Sequence, residues 1–415
     1  MVNHFFNRIF ARILIYIIEK DEKNSILLII LLLSAAFPIS LYGQIQILYG
    51  PYLQNVTATE ATVVWEATEP SVGWVELAPD DGTNFYLIER PKYYDCTNGV
   101  KNTSLLHSVK ITGLQPGTKY RYRIFAQQVL SHNGIFVTYD GRIASSNVHT
   151  KTPPSFQTLD ATKPKTSFLV LNDIHGRSDM VEKLSELAKH KEKDMIFFNG
   201  DMVSMSRQKE DYFNGFMNTS VNLFAQRKSP YYCRGNHETR GQFATHFQEY
   251  FSPRVPNLYF TLRQGPVFFI ILDTGEDKPD SDIEYGGIVD YDTYRSEQAI
   301  WLKTVQDDPD FKSAKFRVVI GHIPTTTLSY KSWHGEKECT DKFTPILNQM
   351  GIDLMICGHT HSDAFHEPNE QIHYPVLVNS NNGVVDAKAD ARELKVKVIH
   401  DDGKTYIEKT FSAQR

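Results

Sequence analysis

Along this chain the apolar positions repeat with two different periods, and the period changes near residue 160. Upstream, residues 61–65, 73–77, 107–111 and 120–124 alternate or run apolar over short stretches. Successive side chains of a strand face opposite sides, so this segment, 45–152, is expected to be all-β. Between the last two stretches, Leu114-Gln115-Pro116-Gly117-Thr118 is turn chemistry, with Tyr120 opening the next strand. That placement predicts the tyrosine corner of a β-sandwich, with Trp65 as its buried aromatic. Lys151-Thr152-Pro153-Pro154 reads as a linker.

Downstream the pattern becomes strands alternating with helices. Apolar runs at 168–172, 195–199, 231–234, 267–272, 318–321 and 354–358 predict strands. Val181, Leu184, Leu187 and Ala188 share one face of a predicted helix over 180–190, and 297–305 and 342–350 are helical by the same period. Strands and helices in alternation indicate a layered α/β domain. The β-rich tail, 376–379 and 394–400, is expected to complete a second sheet.

Ahead of both segments an apolar run, 26–36, follows Lys20 and Lys23 and precedes Ser40 and Gly43. That layout is a signal peptide over residues 1–43. The run is shorter than the roughly 20 residues needed to span a bilayer. The chain is therefore expected to be exported, periplasmic or extracellular. It would be membrane-anchored only if the segment, with its amphipathic stretch 5–18, is retained. A hydrophobic content of 41% with 22% charged residues is that of an ordinary globular protein. The formal net charge of −5 gives no bulk attraction to nucleic acid. Of the four cysteines, Cys233 and Cys357 fall in predicted strands and read as small buried residues, while Cys96 and Cys339 fall in predicted loops. Their spacing selects no disulfide.

The chemistry sits where the apolar runs end. Five polar clusters follow them: Asp173-Ile174-His175, Gly200-Asp201, Gly235-Asn236-His237-Glu238, Gly321-His322 and Gly358-His359-Thr360-His361. Open α/β sheets bind ligands at the carboxyl ends of their strands. The four glycines are expected to let the backbone turn sharply there, so that the next side chain faces the crevice. Carboxylates and imidazoles gathered at such an edge need partners, and divalent cations supply them. Oxygen and nitrogen donors without thiolate suit Zn, Mn, Fe, Co or Ni better than copper or an iron–sulfur cluster. Two such ions about 3.5–4 Å apart can hold a bridging hydroxide and clamp a phosphoryl oxygen. Taken singly, each cluster is a turn, a cap or a pair of solvated histidines. The ordered set of five is what points to a site.

With these motifs in that order, the chain resembles the calcineurin-like metallophosphoesterase superfamily, whose pattern is D-x-H, G-D, G-N-H-[DE], G-H and G-H-x-H. The resemblance implies an α/β/β/α layered fold over 160–415. It also implies two divalent transition-metal ions, Fe, Zn or Mn. One would take Asp173, His175, Asp201 and His361, the other Asp201, Asn236, His322 and His359. His237 would stay free to stabilise phosphoryl charge or protonate the leaving oxygen. Segment 45–152 is similar to the fibronectin type III-like N-terminal domain of the purple acid phosphatases. That group has Gly at the position of His175 and a Tyr ligand at that of Ser204, so a colourless enzyme is expected. Protein serine/threonine phosphatases carry an Asp and an Arg after the bridging Asp, and Met202-Val203-Ser204-Met205 has neither.

Arg177, Arg234, Arg240 and His334 lie near the clusters and are candidates for substrate contact. Specificity is expected from the loops 279–294 and 325–340. The reading is an exported phosphoesterase acting on small phosphomonoesters or phosphodiesters. The alternative is a non-catalytic adhesive protein that uses the hydrolase domain as a scaffold.

Overall fold

The computed structural model describes residues 44–145, 152–325 and 332–415. The signal-peptide segment 1–43, Lys151 of the linker and part of the loop 325–340 lie outside the described residues.

Among the described residues, eight strands lie in the first segment: β1 (Ile47–Gln54), β2 (Glu60–Pro79), β3 (Lys92–Tyr94), β4 (Cys96–Thr97), β5 (Val100–Lys101), β6 (Thr103–Thr112), β7 (Lys119–Asn133) and β8 (Phe136–Ser145); a ninth, β9 (Ser155–Gln157), lies beyond the expected linker and pairs with β7. The two strands expected at 61–65 and 73–77 are one strand, β2. Its pairing with β6 is displaced between Glu66 and Ser71, where Pro70 has no N–H to give. On either side of that break β2 pairs with β1 and with β7. Trp65 is fully buried among Val63, Val75, Val109, Ile111 and Tyr122. The Tyr120 hydroxyl accepts from the Gln115 N–H at 3.0 Å, which closes the tyrosine corner.

The second segment holds two six-stranded sheets. One runs β12 (Pro230–Cys233), β11 (Met195–Asn199), β10 (Thr166–Leu171), β19 (Gly383–Ala389), β20 (Glu393–His400), β21 (Thr405–Ser412). The other runs β13 (Phe260–Gln264), β14 (Val267–Leu272), β15 (Phe316–Gly321), β16 (Leu354–Cys357), β18 (Val376–Val378), β17 (Ala364–His366). Strands β10 to β12 are parallel, as are β14, β15, β16 and β18.

The continuous apolar runs have a physical reason, since these strands are covered on both faces. Phe168, Val170 and Phe197 meet Phe269, Val318, Ile320 and Ile356 between the sheets. Their neighbours Leu169, Leu171, Ile196 and Phe198 point the other way. They lie under helix α1 (Ser178–Leu187) and the helical stretch α2 (residues 209–225), which contains two π turns. On the far side Phe268, Ile270, Leu272 and Val319 lie under helices α3 (Tyr291–Thr304) and α4 (His334–Met350). The layers are therefore α/β/β/α. Helices α3 and α4 begin earlier than the apolar period indicated, because their first turns carry mostly polar residues. Cys339, expected in a loop, is buried in α4.

The sandwich joins this core directly. Tyr52 and Val64 belong to the α1–α2 cluster, Tyr49 stacks on Phe213 at 3.8 Å, and the Tyr52 hydroxyl donates to the Tyr250 carbonyl at 3.1 Å. Residues Ile45–Arg415 form one compact unit.

Candidate metal centre

All five polar clusters arrive at one crevice, where the carboxyl ends of the two sets of parallel strands meet. Strands β10, β11 and β12 deliver Asp173, His175, Asp201, Asn236 and His237, and β15 and β16 deliver His322, His359 and His361. Asn199 ties the two sheets beneath this point, its amide donating to the Ile356 carbonyl at 3.3 Å.

The donors form two groups. Asp173, His175 and His361 place one ligand atom each within 4.8 Å of one another, and so do Asp201, His322 and His359. Asp201 also groups with His175 and His237, so it stands between the two. In the first group the imidazole Nε2 atoms of His175 and His361 lie 3.1 Å apart, and Asp173 Oδ1 is 3.2 Å from that of His361. In the second, His322 Nε2 is 3.1 Å from Asp201 Oδ2, and His359 Nδ1 is 3.1 Å from Asn236 Oδ1.

Backbone groups hold the far side of three of the donors. Asp173 Oδ2 accepts from the His359 N–H, Asp201 Oδ1 accepts from the His237 N–H at 2.9 Å, and His322 Nδ1 lies 2.7 Å from the Asn199 carbonyl. This leaves Asp173 Oδ1 and His322 Nε2 aimed inward. Both are buried, and neither makes an aligned hydrogen bond among the described residues, although the nearest nitrogen or oxygen is close. Buried polar atoms without aligned partners are rare in folded proteins. One such atom in each group fits two adjacent cations, and imidazole, carboxylate and amide oxygen are the donors that transition metals take.

The electrostatics agree. Burial opposes charge on His322, but the Asp201 and Asp173 carboxylates outweigh it and raise its pKa to about 10. Burial is also the largest effect on His175 and His359, and with the neighbouring imidazoles it pulls each down to about 4. Despite burial, His322 and His237 hold Asp201 below the ordinary carboxylate range. His175 and His359 are thus free of protons beside a charged Asp201, while His322 keeps its proton in the metal-free chain.

The turns that aim these groups were expected to rely on glycine φ. Only Gly200 has a positive φ among the four motif glycines. The ligand candidates themselves bend the chain: Asp173, His175, Asp201, His359 and His361 have φ between +50° and +73°. Such conformations cost non-glycine residues about 1–3 kcal/mol each and cluster at functional sites. Gly235 and Gly358 serve a different purpose. A Cβ on Gly358 would stand 2.5 Å from Asp173 Oδ2, and one on Gly235 would collide with Asp201.

His237 Nδ1 donates to the Ser204 carbonyl, 2.7 Å away, so its Nε2 faces Arg240 Nη1 at 3.4 Å and Asp201 Oδ2 at 3.9 Å. Ser204 therefore serves both histidines, since its hydroxyl is also 3.3 Å from His175 Nδ1. The other expected substrate contacts are turned to protein partners. Arg177 donates to the Ile174 and Asp173 carbonyls and to Asn382. Arg234 is buried in an ion pair with Asp273 at 2.9 Å, and His334 lies 2.9 Å from both Asp292 oxygens. Arg240 is bound by Glu276 and Asp277 and reaches the crevice only at His237.

Three supporting residues escaped the motif reading. The buried Glu238 carboxylate accepts from the N–H groups of Asp201, Met202, Val203 and Gly235, which shapes two ligand turns at once. Its place at the end of Gly-Asn-His-Glu was the available signal. Asp277 and Glu336 had none. Asp277 Oδ2 accepts from the Asn236 amide at 3.5 Å, and Glu336 Oε1 is 3.7 Å from His359 Nε2.

The chain is similar to known proteins over both segments. Residues 166–363 match the family model described as calcineurin-like phosphoesterase, and residues 50–138 match that of the purple acid phosphatase N-terminal domain. Purple acid phosphatase 15 of Arabidopsis thaliana is 24% identical over 344 residues, covering 74% of this chain and 55% of that protein. Purple acid phosphatase 21 of the same plant is 23% identical over 313 residues, covering 69% and 62%. The chain thus spans little more than half the length of these relatives. In fold it is similar to a purple acid phosphatase from yellow lupin (Lupinus luteus) seeds, with a TM-score of 0.65, 13% identity, and coverage of 87% of this chain and 74% of that one.

Proposed function

We infer, from a calcineurin-like phosphoesterase domain carried behind a purple acid phosphatase N-terminal domain, that this chain is an exported binuclear metallophosphoesterase acting on small phosphomonoesters or phosphodiesters. The observation that carries the reading is the pair of donor groups flanking Asp201, each with one buried atom aimed inward and left without an aligned partner. Asp173, His175, Asp201 and His361 would hold one metal, and Asp201, Asn236, His322 and His359 the other. When bound, the pair would supply Lewis-acid polarisation of the phosphoryl group and a lowered pKa for the attacking water.

The rest of the work falls to the chain. With Nδ1 fixed at the Ser204 carbonyl, His237 presents Nε2 to the crevice, where it can carry a proton to the leaving oxygen. Ser204 leaves no phenolate at the position that gives the purple group its colour, which supports a colourless centre. Segment 45–152 acts as a packing module and 160–415 as the catalytic domain. Export rests on the layout of residues 1–43, and no helix among the described residues is long and apolar enough to cross a membrane.

The test is a phosphoester panel run with Mn, Zn, Fe and Co, together with metal analysis. The expected result is close to two metals per chain and turnover that vanishes in Asp201→Asn and Asn236→Ala. His237→Ala should keep both metals and lose about 10²–10⁴-fold in kcat. Full turnover in the Asp201 and Asn236 variants, or no metal uptake after supplementation, would each defeat the assignment, the last in favour of a scaffold, and a purple iron-loaded preparation would defeat the colourless centre.

A further inference from the structure

A side-chain amide presents two unlike ends, an oxygen that can bind a cation and an NH₂ that repels one. Asn236 can serve a metal only if something fixes which end faces the crevice. Its Nδ2 donates to Asp277 Oδ2 at 3.5 Å, while its Oδ1 lies beside His359 Nδ1 at 3.1 Å. Asp277 is itself firmly held. Its other oxygen, Oδ1, accepts from Arg240 Nη2 at 3.1 Å and from Lys278 Nζ at 3.4 Å. Arg240 is in turn fixed by both Glu276 oxygens, at 2.7 and 2.9 Å. Two cations therefore determine which Asp277 oxygen turns toward Asn236. A carboxylate oxygen there accepts from the NH₂ end, which leaves the amide oxygen on the crevice side.

We propose that Asp277 is a positioning residue that selects the oxygen of Asn236 as the donor to the second metal. The proposal rests on the two-metal reading above. It assigns a role to a residue that belongs to none of the five clusters and sits in the turn after β14. Groups behind a ligand commonly set its orientation, and their loss costs about 10–100-fold in metal affinity.

The near-isosteric Asp277→Asn variant tests this with little change in packing. Arg240 and Lys278 would draw the new amide oxygen to their side, which leaves an NH₂ facing Asn236 and invites it to flip. Metal-stripped full-length chain is titrated calorimetrically with Mn²⁺ and with Zn²⁺, in the wild-type and Asn236→Asp backgrounds, and circular dichroism monitors the fold. Asp277→Asn should weaken the second metal about 10–100-fold beside Asn236, with the first metal unaffected. In the Asn236→Asp background it should cost nothing, because a carboxylate offers oxygen at both ends. An equal loss in both backgrounds would show that only the charge of Asp277 matters, and it would overturn the proposal. So would unchanged affinity in the single variant. A wild-type chain that takes up no metal removes the two-metal reading and this inference with it.

Discussion

His322 lies at the bottom of the crevice, fully buried, with one nitrogen at a backbone carbonyl and the other beside Asp201. Its pKa is raised to about 10 from an ordinary 6.5, so at neutral pH the metal-free chain holds a proton where the proposed metal would bind. Metal loading near pH 7.5 should release that proton, at least one per chain, and affinity should rise with pH until about 10. Calorimetry in buffers of different ionisation enthalpy measures the release, and buffer-independent heats would contradict it. The same shift has a consequence for the metal-free fold. A raised pKa means that the His322–Asp201 pairing stabilises fully below pH 6.5 and is lost as pH climbs through about 10. The apparent melting temperature of stripped protein should fall over that window, and a His322→Gln variant should not show this component.

The turns between strand and ligand are shaped by contacts of two kinds. A Cβ on Gly235 or Gly358 would collide with the carboxylate of Asp201 or Asp173, whereas one on Gly321 would come closest to the flexible end of Met355 at 3.2 Å, with Thr274 and Leu272 at ordinary contact. Gly358→Ala should therefore cost about 1–3 kcal/mol and weaken metal binding, while Gly321→Ala should cost under about 1.5 kcal/mol. Urea denaturation with parallel metal titration distinguishes them, and equal costs would show that the close approach is relieved elsewhere. The apolar runs made these strands readable, because a strand covered on both faces cannot admit polar residues until it ends. The first turns of α3 and α4 were not readable. Their residues are mostly polar and half-buried, and they are held by contacts between the two helices, such as His334 to Asp292 at 2.9 Å, rather than by an apolar period.

The sandwich and the α/β/β/α layers share their packing. Besides Tyr52 and Val64, buried Glu66 pairs with Lys209 and accepts from the Tyr250 hydroxyl at 3.0 Å, and the Tyr231 hydroxyl donates to the Val56 carbonyl at 2.6 Å. A chain that begins at residue 160 would uncover Phe213 and Tyr250 and strand the Lys209 ammonium. It should aggregate or melt well below the chain that begins at residue 44, as thermal scans and size-exclusion chromatography would show. Equal melting temperatures would reduce the sandwich to a mere appendage.

The order of the five motifs, and the identity of the groups they carry, were written in the sequence. Each depends on local chemistry: an apolar run ends, and a polar donor follows. The sequence also fixed what is missing, a phenol at Ser204 and a carboxylate–arginine pair after Asp201. Tertiary structure decided everything that depends on distance between strands. It turned Arg177 and Arg234 inward to protein acceptors, gave His237 a backbone carbonyl as its partner, and brought Glu238 and Asp277 behind the ligands. A side chain's partner is set by which strand ends meet, and that is a property of how the two sheets pack rather than of any single run of residues.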